Sequence, residues 1–466
     1  HTANVSCIFK KGDKHNPANY RPVSLTSVIC KTLEHIIHRH IMLHLEKYGI
    51  LSALNHGFRS GYSCETQLLT TFNDLSRSFD KGKQIDIAVL DFSKAFDTIP
   101  HKKLLAKLTS YGIGGQLHGW LSAFLMDRTM KVILDGECSG EVPVESGVPQ
   151  GTVLGPLLFL CHINDIADGL SSTIRLFADD CPLYRVINSI QDQIALQEDL
   201  KRLELWAERW GMSFNAGKCK ILVVKGKLSY FYTIGDTILE QITNTPYLGL
   251  DISDDLKWDR HISRITKKAN STLGFLRRNL RGFNQDHKRV AYIALVRSIL
   301  EYGSVVWDPY TKGNIERLER VQRCAARFMT NDYTTRTPGC VTDMLNRLEL
   351  LPLEDRRKNL RLTFMYKVVE GLVPAIAAPD FLTPFKPGRR HIKAKTFGDY
   401  SCSNIVERSV RLNNKPFIPP SARTLQYKNS FFVRTVLDWN SLPEETIQSD
   451  TVEQFKTAID GPRMQQ

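Results

Sequence analysis

Three observations predict an α+β fold. Strand-like and helix-like spacings follow one another irregularly, without the regular βαβ repeat of a doubly wound sheet. With 42% hydrophobic and 24% charged residues, 29 Gly and 20 Pro in 466 residues, the composition is that of an ordinary globular chain, not of a disordered, collagenous or membrane one. Residues 256–336 read as all-helical and hold most of the net charge of +13. At roughly 150 residues per domain the length suggests about three domains.

Between Val5 and Leu25, two apolar runs flank Gly12-Asp13 and Asn16-Pro17, which predicts a hairpin or looped strand pair with a basic tip. From Leu25 to Tyr48, the apolar residues Ile29, Leu33, Ile36, Ile37, Ile41 and Leu45 follow helical spacing, and Gly49 ends the run. A second helix is expected from Cys64 to about Ser78, a buried strand from Ile85 to Phe92, and a helix with Leu104, Leu105 and Leu108 that ends near Gly112. Gly112 to Gly119 only approaches a G-x-G-x-x-G pattern, because Leu117 stands at the third glycine, so it carries no phosphate-binding weight.

Lys131 to Leu134 reads as a strand turning at Asp135-Gly136. The loop Ser146 to Gly151 leads into an apolar helix from Leu154 to Ile166, and Thr173 to Tyr184 reads as two short strands hinged on Asp179-Asp180. Ile190, Ile194, Leu200, Leu203, Trp206 and Trp210 mark an amphipathic helix, with short strands expected at Lys220 to Val224 and Tyr247 to Leu250. In the helical stretch beyond, Ile262, Ile265, Ala269, Leu273, Leu276 and Leu280 form one apolar stripe, leaving Arg264, Lys267, Lys268, Arg277, Arg278 and Arg281 largely on other faces.

From about Thr337 the chain reads as a helical Leu348 to Val369, a basic loop Lys386 to Lys395 and an aromatic run from Phe431-Phe432 to Trp439. Aromatics interleaved with Lys and Arg fit stacking on single-stranded nucleic acid, and equally a small packed helical domain.

The excess of 62 Lys and Arg over 49 Asp and Glu points to a polyanionic partner, nucleic acid or an acidic membrane surface. Ten cysteines with no close C-x-x-C pair argue against a zinc finger and fit a reducing compartment. The longest apolar stretch, Val153 to Leu160, is interrupted by Gly155-Pro156 and falls far short of the ~20 residues of a membrane span, so no membrane partner is expected. No targeting segment is visible at His1, the chain reads as a possible fragment of a longer product, and its place rests on function.

The sharpest chemical feature is a set of three acids. Asp91 ends an apolar strand, and Asp179 and Asp180 lie at a hairpin turn between apolar strands. Carboxylates there are costly to desolvate unless a cation neutralises them. Two Mg²⁺ ions on oxygen ligands from converging strands activate an attacking hydroxyl and stabilise the leaving oxygens of a phosphoryl transfer. A lone Asp-Asp pair is equally an ordinary turn.

Ala88 to Asp97 (Ala-Val-Leu-Asp-Phe-Ser-Lys-Ala-Phe-Asp), Gly147 to Gly151 (Gly-Val-Pro-Gln-Gly) and Phe177 to Asp180 (Phe-Ala-Asp-Asp) occur in that order and resemble motifs A, B and C of reverse transcriptases. Asn19 to Leu25 and Gly57 to Gly61 are similar to the two upstream motifs. Together they resemble the non-LTR, LINE-type retrotransposon polymerases, most closely the jockey-like branch, over roughly residues 5 to 250.

The resemblance implies a right-hand polymerase: fingers and palm with an antiparallel sheet over 1–250, a basic helical thumb over 251–336, and a mostly helical C-terminal region over 337–466 that is a candidate for nucleic-acid binding. It implies an RNA template, a DNA primer or target, dNTPs, and Mg²⁺ as two ions, with Mn²⁺ as the substitute, in nucleus and cytoplasm. Asp91, Asp179 and Asp180 match the catalytic, metal-holding aspartates. Phe96 matches the residue that excludes a ribose 2′-hydroxyl, and Gln150 and Gly151 the loop at the incoming nucleotide. Lys10, Lys11 and Arg21 match residues that contact the triphosphate, Lys218 the general acid of motif D, and Tyr247, Leu248 and Gly249 the primer grip.

One departure is Pro182, which removes a strand donor beside the acid turn and is expected to weaken that hairpin. Another is the lack of an endonuclease or Cys-His knuckle within these residues. A non-catalytic RNA-binding copy and an intron-maturase-like protein are the competing readings.

Overall fold

The computed structural model describes residues 2–385 and 415–460; the basic loop Lys386 to Lys395 lies outside the described residues. The chain divides into two compact units, His1–Gln67 with Gly82–Leu248, and Leu68–Lys81 with Gly249–Gln466.

In the first unit, β1 (Thr2–Phe9) and β2 (Tyr20–Ser24) form the expected hairpin, from Val5 opposite Ser24 to Phe9 opposite Tyr20. Helix α1 (Val28–Lys47) follows, its first turn capped by Ser27, whose side chain accepts from Cys30 N. Its buried residues are Glu34, Ile41, Met42 and Leu45, whereas Ile29, Leu33 and Ile36 are exposed. The helix is therefore where the spacing put it, but the N-terminal half of its apolar stripe is not core.

Helix α2 (Cys64–Asp80), which from Leu68 on belongs to the second unit, leads to β3 (Gln84–Leu90), then α3 (His101–Ser110) and α4 (Gly115–Leu125). Sequence spacing did not mark α4, which starts in the Gly-rich stretch and buries Leu121 and Leu125. Three strands follow, β4 (Thr129–Leu134), β5 (Glu137–Cys138) and β6 (Val142–Pro143); β4 pairs in parallel with β1. Helix α5 (Leu154–Ile163) is buried on almost every face, as its apolar composition requires, and stops three residues short of Ile166.

Strands β7 (Thr173–Ile174) and β8 (Cys181–Ile187), helix α6 (Ile190–Trp210) and strand β9 (Lys220–Val224) complete the central element set. Short strands β10 (Thr233–Ile234), β11 (Thr237–Ile238), β12 (Glu240–Ile242) and β13 (Asn244–Tyr247) follow. The main sheet runs β12-β9-β3-β8-β7 and is antiparallel except for β12 on β9. Its core joins Ala88, Leu90 and Leu183 from the strands with Leu104, Leu157, Phe159, Leu200 and Leu203 from α3, α5 and α6. Helices with an antiparallel sheet make the α+β class the sequence predicted.

The strand expected at Tyr247 to Leu250 is instead a turn. β13 ends at Tyr247 and the next strand, β14, is Leu250–Ser253. Leu248 and Gly249 between them hold φ of +46° and +85°, which no strand residue adopts.

Among its described residues the second unit is largely helical. Helix α7 (Asp259–Asn279) buries Ile262, Ile265, Ala269, Leu273 and Leu276 and exposes Lys267, Lys268, Arg277 and Arg278, as the stripe predicted. Helices Gln285–Tyr292, Lys312–Thr330, Cys340–Arg347 and Leu353–Val369 follow; the helix expected over Leu348 to Val369 starts only after Pro352. The helix Phe431–Asn440 packs Phe431, Phe432 and Trp439 into the core, so these aromatics offer no stacking face to nucleic acid. Arg361 ties it in by donating to Thr435 Oγ1 and Asp438 and to the buried Asp308, which Arg357 also meets at 2.8 Å. Among the described residues no helix is long and apolar enough to cross a membrane.

Candidate active site

The register of the main sheet builds the site. β3 pairs with β8 from Gln84 opposite Ile187 to Leu90 opposite Cys181, and with β9 from Ile85 opposite Val224 to Val89 opposite Lys220. The β8 register, continued by one residue, sets Asp180 opposite Asp91, and the β9 register, continued by two, brings Lys218 to the other side of Asp91, at the end of the sheet. Lys218 Nζ lies 3.4 Å from Asp91 Oδ2. The Lys218 loop is held to the end of β3: Asn215 N donates to the Asp91 carbonyl at 2.7 Å, and Phe92 stacks on Phe214 with centroids 4.4 Å apart.

Phe177 and Asp180 exchange both backbone hydrogen bonds, at 2.9 and 3.1 Å, closing a two-residue turn over Ala178 and Asp179. The hairpin expected to be weakened by Pro182 is thus formed. The Pro182 carbonyl accepts from Arg175 N at 3.0 Å, and in an antiparallel strand a residue's two polar groups face the same neighbour. The donor that proline lacks therefore falls toward the short edge segment at Arg175, leaving the ladder to β3 intact.

Burial raises the Asp179 carboxyl, with Asp91 adding and the cations Arg21 and Lys10 opposing. Asp180 is pushed up to about 6 by burial, then by the charges of Asp179 and Asp91. All three acids share one field, and beyond its ion pair with Lys218, Asp91 Oδ2 makes no hydrogen bond among the described residues. Crowded carboxylate oxygens are the donor chemistry of a hard divalent cation, so these residues fit one. The fit is one of donor type: among the described residues no three acidic, His or Cys side chains are grouped so as to hold a metal ion.

Gln150 donates through Nε2 to Asp97 Oδ1 at 2.7 Å, and its carbonyl accepts from Ser24 N of β2 at 2.8 Å. Gly151 has φ +93°, and a Cβ there would stand 2.7 Å from the Ser24 carbonyl, so only glycine allows β2 this close. Lys10 and Gln150 border one cavity of about 420 Å³ together with Lys94, Asp97 and Arg128. Arg21 is exposed on the same hairpin, and Lys11 sits exposed at its tip. The Phe96 ring stacks on Phe159 at 4.3 Å and meets Phe58 edge-on at 6.2 Å. Tyr247 is buried, its hydroxyl accepting from Gln67 Nε2 at 3.1 Å, and Leu248 and Gly249 form the turn described above.

Sequence reasoning passed over three supports of this site: Asn55, Glu34 and Asp97. The carboxylate of Glu34, buried in α1, accepts from Val153 N and Leu154 N at 2.7 and 3.0 Å and so anchors the start of α5 behind the Gln150 loop. The only available signal for Glu34 was an acid beside the apolar positions Leu33 and Ile37.

Residues 8–252 match the family model described as reverse transcriptase (RNA-dependent DNA polymerase). The chain is 28% identical over 346 residues to the probable RNA-directed DNA polymerase from transposon BS of Drosophila melanogaster, an overlap of 71% of this chain and 38% of that one. To the RNA-directed DNA polymerase from mobile element jockey of Drosophila funebris it is 28% identical over 336 residues, 69% of this chain and 37% of the relative. The chain thus spans well under half the length of these relatives. Among solved structures it is similar to apo telomerase from Candida tropicalis, with 11% identity, a TM-score of 0.43, and coverage of 71% of this chain and 58% of that one.

Proposed function

Because the chain belongs to the reverse transcriptase (RNA-dependent DNA polymerase) family, we propose that it is the polymerising part of a jockey-like non-LTR retrotransposon protein, adding dNTPs to a DNA primer on an RNA template. The observation that carries this reading is the row of Asp180, Asp91 and Lys218 across three strands, with Asp179 beside it.

Asp91, Asp179 and Asp180 would hold Mg²⁺, or Mn²⁺ in its place. When bound, such ions supply activation of the attacking hydroxyl and neutralisation of the leaving phosphate oxygens. The rest falls to the chain's own residues. Lys10 and Arg21, the cations that already act on Asp179, face the anionic triphosphate, with Lys11 following at the tip. Gln150 and Gly151 seat the nucleotide against β2. Phe96, held between Phe159 and Phe58, bars a ribose 2′-hydroxyl and so selects deoxynucleotides. Lys218 beside Asp91 holds a proton for the departing pyrophosphate. The turn at Tyr247, Leu248 and Gly249 orients the primer end.

In this reading residues 1–250 are fingers and palm, 251–336 the basic helical thumb and 337–466 the C-terminal region. The natural primer is nicked chromosomal DNA, and the protein works in nucleus and cytoplasm. Pro182, with its ladder to β3 intact, gives the non-catalytic alternative no support.

The test is extension of oligo(dT) on poly(rA) with dTTP and Mg²⁺. Wild-type extension abolished by Asp179→Asn is expected. Extension that survives this substitution overturns the assignment, and RNA binding with no extension by the wild type favours the non-catalytic reading.

A further inference from the structure

We propose that Asn55 is a positioning residue for the turn that carries Asp179, acting through the backbone of Ala178. The inference rests on the polymerase reading and deepens it, since Asn55 itself touches neither nucleotide nor reacting atoms.

Residues 54–56 run alongside the approach to the turn. Leu176 N donates to the Leu54 carbonyl at 3.0 Å, and His56 N to the Leu176 carbonyl at 2.9 Å. Between them the buried Asn55 side chain turns one oxygen to two donors, Gly57 N at 3.0 Å and Ala178 N at 3.4 Å. The second bond is long, yet it falls at the residue that needs it. Ala178 holds φ +56°, a left-handed conformation that a Cβ disfavours and glycine does not. An alanine keeps that conformation only where its surroundings over-determine it.

Gly57 is the second half of the device. A Cβ on Gly57 would lie 2.6 Å from Ala178 N, so only glycine lets this loop close on the turn. The next residue, Phe58, has φ +55° and meets Phe96 edge-on, so the loop also reaches the proposed sugar-selecting ring. Asn55 and Gly57 together fix where the chain leaves Ala178, and thus where the Asp179 carboxylate stands relative to Asp91.

The experiment uses the full chain and two readouts: steady-state dTTP incorporation on poly(rA)/oligo(dT), and hydrogen exchange of the backbone over residues 173–184. Asn55→Ala is expected to lower kcat about tenfold while KM for dTTP stays within about twofold, and to speed exchange in that segment. Adding Ala178→Gly, which adopts the left-handed conformation without a Cβ clash, is expected to return most of both losses. A merely structural asparagine would not be rescued in this way.

An Asn55→Ala protein with wild-type kcat and exchange overturns the proposal. So does a double variant that melts like the wild type yet stays as impaired as the single one. Should Asn55→Ala not fold, Gly57→Ala decides: a fall in kcat supports the proposal and an unchanged kcat overturns it. A wild type that extends no primer defeats the polymerase reading, while the exchange readout still judges Asn55.

Discussion

His162 lies fully inside α5, its ring 6.4 and 6.0 Å from those of Trp206 and Trp210 and its carbonyl accepting from the buried Lys107. Burial, and then the Lys107 charge, push its pKa down to about 3. The unfolded chain takes up a proton near 6.5 and the folded one does not, so stability is whole above that pH and is lost as pH falls toward 3. By pH 5 the loss is on the order of 2 kcal/mol. His162→Leu should therefore flatten the acid-side decline in urea-melt stability between pH 7 and 5; an unchanged decline would refute the assignment. Asp180 has the opposite sign. Its folded carboxyl, near 6, keeps a proton that the unfolded chain gives up near 4, so its stabilising contribution is present below pH 4 and lost as pH rises through 6. Asp180→Asn should raise the Tm of the metal-free protein more at pH 8 than at pH 4. At Gly151 the backbone decides: Gly151→Ala pushes a Cβ into the Ser24 carbonyl, and a measured rise in KM for dTTP of at least about tenfold is expected, with Gly140→Ala, which meets open space, as the control.

Elements show where local spacing suffices and where it does not. Helices α1, α5, α6 and α7 and strands β3 and β9 were legible because each carries a run of apolar residues at its own period. Two features were not. Helix α4 opens on glycines, a composition that reads as loop, and it exists because Leu121 and Leu125 find a core. The turn at Leu248-Gly249 was hidden inside an apolar run whose backbone conformation no pattern reveals. Pro182 shows the converse, a rule applied without its geometry: a proline costs a ladder bond only on the side its missing donor would face. Pro182→Val is thus expected to change stability by less than about 1 kcal/mol, whereas Glu34→Ala, which strips two buried amides at the start of α5 of their acceptor, should cost about 2 kcal/mol or more in a urea melt.

At the scale of the molecule, the site was legible as a list and not as a place. Asp91, Asp179, Asp180 and Lys218 were each singled out by motif, but only the shared register of β8, β3 and β9 explains why Asp180, Asp91 and Lys218, from segments far apart in the chain, come side by side. Asn55 and Glu34 escaped because they hold backbone, and Asp97 because it holds the Gln150 side chain; nothing local marks a residue whose partner is distant in sequence. Charge, by contrast, could be read directly. The excess of cations falls largely in the second unit, where α7 buries its apolar stripe and leaves Lys267, Lys268, Arg277 and Arg278 exposed. In the proposed polymerase reading, contacts to phosphate that ignore sequence suit a protein that slides on its template, and such contacts release counterions. Binding of a fluorescent RNA–DNA duplex should therefore weaken linearly in log Kd against log salt concentration. Lys267→Ala with Lys268→Ala should lower that slope by about 1.5, at roughly 0.7 to 0.9 per lost phosphate contact. The loss should be the same for duplexes of unrelated sequence, and a slope unmoved by the double substitution would place the nucleic acid on another face.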